Sequence, residues 1–200
     1  MRQPAPFICF IAAAGLAVLS PWPVLAADTV PTHLDAARQA YQKGDAARTA
    51  MEAEAALTEL HDRLGKGLAE FMPGALAGWQ AEAPEVQGLG LVGGGLAVTR
   101  AFSKTEQSLN ATLILDSPAV NAAVALQAGT TVQPSLKRVK LGADDALLRW
   151  DANTKAGEIT IVLGNRVLLQ IEGDNLPSSD VLVESAKGWN VAGIRKFIGI

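Results

Sequence analysis

The segment EITIVLGNRVLLQIE, Glu158–Glu172, decides the fold. Ile159, Ile161 and Leu163 occupy every second position before Gly164-Asn165, and Val167, Leu169 and Ile171 do so after it. A period of two puts such residues on one side of a pleated strand. Gly164-Asn165 between two β-rich runs predicts a tight two-residue turn, because short hairpin turns need positive φ and these residues tolerate it. One apolar face then points to a core and fixes the register.

The same signal recurs upstream. Leu96, Val98 and Phe102 share one strand face, and Leu109, Ala111, Leu113 and Leu115 share the next. Weaker strands are expected at 135–141 and 146–151. Between these pairs, Ser117-Pro118 reads as a cap followed by proline at the first helical position. It opens a helix to about Gln127 that Gly129 ends. Asp116 with Ser117 is read as capping. Downstream, Ser178 or Ser179 caps a helix to Lys187, which Gly188 stops. Trp189, Val191, Ile194, Phe197 and Ile198 then form an apolar C-terminal tail packed back onto the core.

Ahead of the strands, residues 33–71 read as a helical hairpin. Thr32 and Asp35 form a variant capping box. Gly44 stops the first helix and Asp45 caps the second. Ala50, Ala53, Leu57, Leu60, Leu64, Leu68 and Phe71 recur every three or four residues, which makes them the expected buried stripe. Gly65 and Gly67 weaken its last turns, and Pro73-Gly74 ends it. The tetratricopeptide-like turn at Tyr41–Asp45 has no second copy, so the hairpin must lean on the next domain. Residues 74–95 are a Gly/Pro-rich connecting loop anchored by Trp79. The expected architecture is α+β: an N-terminal helical hairpin (28–73), this loop, and a mostly antiparallel sheet with two helices (96–200).

Residues 1–27 read differently. Arg2 precedes an apolar run from Phe7 to Leu19; Pro21 and Pro23 break it, and Val24-Leu25-Ala26 follows. That is a cleavable secretory signal, cut after Ala26 or Ala27, and its core is shorter than the roughly 20 residues of a membrane span. The expected compartment is the periplasm of a Gram-negative cell. The one cysteine, Cys9, lies inside the signal, so the mature chain has neither disulfide nor thiol chemistry. Net charge is −3 with both signs interspersed, which lacks the basic stripe that nucleic acid requires.

No motif commits the chain to a reaction. Gly88-Leu89-Gly90-Leu91-Val92-Gly93 fits GxGxxG, yet no buried strand precedes it and a strand, not a helix, follows. It reads as a mobile glycine-rich loop, Gly88–Gly95, and no cofactor is expected. His33 and His61 sit within reach of Asp35, Glu59 and Asp62 if the hairpin is antiparallel, but their spacing matches no zinc pattern. No GxSxG elbow or SxxK pair is present. Asp144 and Asp145 are turn neighbours rather than acid–base partners. The Asn110 sequon falls on an expected strand. Trp79, Trp150 and Trp189 are read first as core anchors. No catalytic, cofactor-binding or metal residue is therefore assigned.

Residues YQKGD (41–45), FMPGALAGWQAE (71–82), GLVGGG (90–95), LAVTRAF (96–102), ILDSPAV (114–120) and GEITIVLGNRVLLQIEGDNL (157–176) together resemble a family of small exported proteobacterial proteins to which no activity is assigned. Phe102 stands where that pattern has tyrosine. The resemblance implies a compartment and an α+β fold and lends no catalytic residue. The expected function is a non-enzymatic binding or accessory module for a protein or small-molecule partner. The alternatives are a metal- or stress-related accessory protein using His33 and His61, and a hydrolase of unidentified kind.

Overall fold

The computed structural model describes residues 28–129 and 136–200. Two helices, α1 (Val30–Gln42) and α2 (Ala46–Ala69), precede eight strands. These are β1 (Gln80–Ala81), β2 (Glu85–Gly88), β3 (Leu96–Lys104), β4 (Gln107–Leu115), β5 (Leu136–Leu141), β6 (Asp144–Asp151), β7 (Ala156–Leu163) and β8 (Val167–Asp174). Helix α3 (Pro118–Ala128) lies between β4 and β5, and α4 (Asp180–Lys187) and α5 (Val191–Ile198) follow the sheet. The architecture is α+β, with every described strand pair antiparallel.

The sheet runs β1-β3-β4-β8-β7-β6-β5, with β2 also paired to β3. The apolar alternation of the sequence becomes continuous rows across it. Val98, Leu113, Leu169, Ile161 and Ala146 stand in one row, and Leu96, Leu115, Val167 and Leu163 in the next. All nine are buried. Leu68 of α2, Met72 just beyond that helix, Leu182 and Ala186 of α4, Trp189, and Ile194 of α5 complete this core. Helix α3 lies on the opposite face. Arg138 of β5 reaches across to the Gln127 carbonyl at its end, and Leu147 and Leu168 are buried on that side.

Gly157 and Gly173 are paired across β7 and β8 where Leu182 comes down. A Cβ on Gly157 would stand 3.1 Å from Leu182 Cδ1, and one on Gly173 would stand 3.2 Å from Leu182 Cδ2. The two glycines let α4 approach the sheet closely.

Several details differ from the sequence reading. The hairpin turn has three residues, Gly164–Arg166, because Leu163 pairs with Val167. Gly164 supplies the positive φ, at 60°. Helix α1 starts at Val30 with Pro31 in its first turn, so Thr32 lies inside it rather than capping it. Gly44, Asp45, Ser117 and Gly129 end or cap their helices as expected. The 74–95 segment holds β1, β2 and a 3-10 turn at Gly90–Val92, with Gly88 the last residue of β2. The C-terminal tail is a helix, α5, capped by Asn190, whose Oδ1 accepts from the Gly193 N–H at 2.9 Å.

The largest difference concerns α2. Leu57, Leu60 and Leu64, expected to be buried, are 49%, 38% and 38% exposed. The helix instead uses its smallest residues for contact. Ala56 is buried in the α1–α2 hairpin along with Ala37 and Ala40. Gly65 receives Val86 of β2, and Gly67 receives the Phe197 ring of α5. Helix α2 is thus wedged between α1 and the sheet by faces that flank Leu57, Leu60 and Leu64, which are left to solvent, and only at Leu68 does the stripe enter the core.

Candidate functional site

A cleft of about 490 Å³ opens where the β5–β6 turn meets the α4–α5 corner. Antiparallel pairing brings Leu141, Gly142, Ala143 and Asp144 to this end of the sheet, with Ile161 of β7 as the floor. Gly142 turns the chain with φ at 63°. The far wall is the corner itself: Gly188 stops α4, and the Asn190 cap restarts the chain as α5. That corner is pinned to the helical hairpin, since the Asn190 N–H donates to the Phe71 carbonyl at 3.1 Å.

The lining is amphipathic. Leu141, Ile161, Ala186, Trp189, Val191 and Ala192 give it an apolar body. Arg195, Lys187, Asn190 and Asp144 give it a polar rim. Arg195 Nη2 donates to Asp144 Oδ1 at 2.5 Å, joining α5 to β6 across the cleft. Lys187 Nζ donates to Glu184 at 2.5 Å. Trp189 is only 6% exposed, and its indole N–H, shielded from solvent, has no acceptor among the described residues. An unmatched buried donor costs about 1–3 kcal/mol and is uncommon in folded proteins. The volume and the mix of apolar wall with few polar groups are those of a small-molecule site.

A second concavity, about 380 Å³, lies over the end of the sheet near Glu158 and Glu172. These two carboxylates are directly opposed across β7 and β8, a like-charge pairing that strands normally avoid. Arg149 Nη1 stands 3.0 Å from Glu158 Oε1, and Gln170 Nε2 donates to both Glu158 (3.1 Å) and Glu172 (2.7 Å). Burial, then the charges of Glu158 and Asp174, push the Glu172 carboxyl above its ordinary pKa. The lining holds no apolar residue larger than Ala156. It can exchange a proton, but it offers little to grip a substrate.

The structure separates the two histidines. His33 Nδ1 lies 2.8 Å from Glu52 Oε2 of α2, whereas His61 is the side chain nearest Gly88 of β2. Glu52 and His61 are nine residues apart on one helix, a rotation of about 180°, so they lie on opposite faces. Among the described residues, no group of three or more His, Cys, Asp or Glu side chains converges for a metal ion. In the glycine-rich stretch, the Leu89 N–H bonds to the Gly95 carbonyl at 2.8 Å, closing a small loop with Leu91 fully exposed. Trp79 and Trp150 pack partly buried against the core, while Trp189 belongs both to the core and to the cleft.

Asp116 acts differently from the capping reading. Arg166 grips both of its oxygens, at 2.8 and 2.6 Å, and also bonds the Ile198 carbonyl at 3.1 Å. The hydrogen bonds from Arg166 hold the Asp116 carboxyl below its ordinary pKa. Ser117 alone provides the cap.

No family model, curated protein or solved structure matches the chain. No described helix is long and apolar enough to cross a membrane. The site must therefore be read from its own geometry.

Proposed function

We propose that the chain is an exported, periplasmic, non-enzymatic binding module that holds a small ligand in the cleft between the β5–β6 turn and the α4–α5 corner. The observation that carries this is the cleft of about 490 Å³ itself, in which an apolar body of Leu141, Ile161, Trp189, Val191 and Ala192 is edged by Arg195, Lys187, Asn190 and Asp144. Export is supported by the Arg2, Phe7–Leu19 and Val24–Ala26 pattern. Binding is favoured over hydrolysis because the Glu158–Glu172 carboxylates are held by Gln170 and Arg149 on a surface without an apolar wall.

Thermal melts with a chemically mixed set of small molecules test this. A ligand at about 100 times its Kd adds about 2.7 kcal/mol, or roughly 5–10 °C in Tm for a chain of this size. Stabilising compounds are expected whose effect disappears in Ala192→Trp, which fills the cleft. A set in which no shift depends on Ala192 would refute the reading.

A further inference from the structure

We infer that the ligand of the cleft is a small apolar carboxylic acid, bound as its anion. This rests on the reading of the chain as a binding module and adds the chemical class.

The polar groups around the cleft are mostly donors. Arg195 carries five N–H groups in a planar fork and donates one of them to Asp144. Lys187, which also donates to Glu184, contributes a second cation. Asp144 is the one acid in the lining, and its Oδ1 accepts from Arg195. A cationic guest would find one carboxylate, already bonded through Oδ1 to Arg195, set against two cations. A guest that brings a carboxylate meets the remaining N–H groups of the Arg195 fork, for which carboxylates are geometrically suited.

The rest of the guest must be apolar. Leu141, Ile161, Val191 and the Trp189 ring offer hydrocarbon and aromatic surface. The cleft is too small for a folded partner and suits a body of one ring or a short branched chain. A bare inorganic anion would leave that wall uncovered and gain nothing from it. Charge at the rim and hydrocarbon beneath it together select an amphipathic acid.

Three probes that share a phenylethyl body separate the elements of the proposal: 3-phenylpropanoate, its isosteric amide 3-phenylpropanamide, and 3-phenylpropylamine, titrated calorimetrically into the purified protein, with tryptophan fluorescence as a second readout. The acid is expected to bind at least about tenfold tighter than the amide, and the amine weakest, since charge-assisted hydrogen bonds are about twice as strong as neutral ones. Arg195→Met should bring the acid down to the affinity of the amide while leaving the amide within about twofold. Retained amide binding shows that this variant is folded. Ala192→Trp and, from the opposite rim, Ala143→Trp should abolish binding of all three. If acid and amide bind equally, or Arg195→Met weakens both alike, the carboxylate assignment falls and the cleft remains a binding site. If none of the three binds in a manner that either blocking variant removes, both the assignment and the binding-module reading fall.

Discussion

Replacing Gly65 by alanine sets two effects of opposite sign against each other. In the interior of an exposed helix, Gly→Ala stabilises by about 0.8–1 kcal/mol. Gly65 is buried, and a Cβ there would stand 2.3 Å from Val86 Cγ1 and 2.6 Å from Val86 Cγ2. Both distances are far inside van der Waals contact, so α2 or β2 must move. Overpacking of this kind costs about 1–3 kcal/mol. The net expectation is a loss of up to about 2 kcal/mol, where the helix alone would predict a gain. Val86→Ala removes both methyls that clash. In Gly65→Ala/Val86→Ala the alanine at 65 should therefore recover its helical gain, giving a favourable coupling of at least about 1 kcal/mol. Urea denaturation of the two single variants, the double variant and the parent measures all four corners. If Gly65→Ala alone is stabilised by about 1 kcal/mol, the packing of α2 on β2 described above is wrong.

Three further outcomes are expected. Gly164→Val forces a β-branched residue to φ near 60° and should cost about 1–3 kcal/mol, whereas Gly90→Val, with nothing within 4 Å of its Cβ, should stay within about 0.5 kcal/mol; equal losses in urea melts would contradict the turn. Glu172→Gln should stabilise the protein at pH 7 by about 0.5 kcal/mol, as one member of a partly exposed like-charge pair is removed. Because the folded pKa of Glu172 is raised, its favourable contribution is complete below the unfolded value and is lost as pH rises through the folded one, so the variant's advantage must vanish under acid conditions; an advantage that grows on acidification would refute the pairing. Sequencing of the protein recovered from periplasmic extract should begin at Ala27 or Asp28, and a retained Met1 would end the export reading.

The sheet was legible where alternation was long. Glu158–Glu172 announces two strands because six apolar residues keep period two on both sides of a glycine, and the rows of the sheet follow. Strands β1 and β2 escaped because two and four residues carry no period, and their pairing partner is β3 rather than each other. The Asn190 cap announces α5, but the dense apolar residues after Trp189 read as a tail. In α2, periodicity identified which residues share a face and said nothing of whether a neighbour covers it. The glycines held the missing information, since Gly65 and Gly67 mark close approach rather than weakness. The cleft had no local signal at all. Its walls come from three separated stretches, and the Arg195–Asp144 pair spans 51 positions.

The central seam of the sheet joins β4 to β8, so the second strand of the β3–β4 hairpin lies against the last strand of the sheet. Every other long pairing links strands adjacent in sequence. The Arg166–Asp116 contact beside this seam closes a separation of 50 residues. Loop-closure entropy grows with the logarithm of length, so bringing these groups together costs about 2.5 kcal/mol more than closing a three-residue turn. The β3–β4 hairpin and the β5–β8 meander can therefore each form early and reversibly, with the seam as the late, rate-setting event. Until it closes, two half-sheets expose Leu113, Leu115, Val167 and Leu169 along their open edges. A chain built this way is slow to commit to its final state, and its folding rate should respond to Leu113→Ala or Leu169→Ala far more than to changes in the β5–β6 turn.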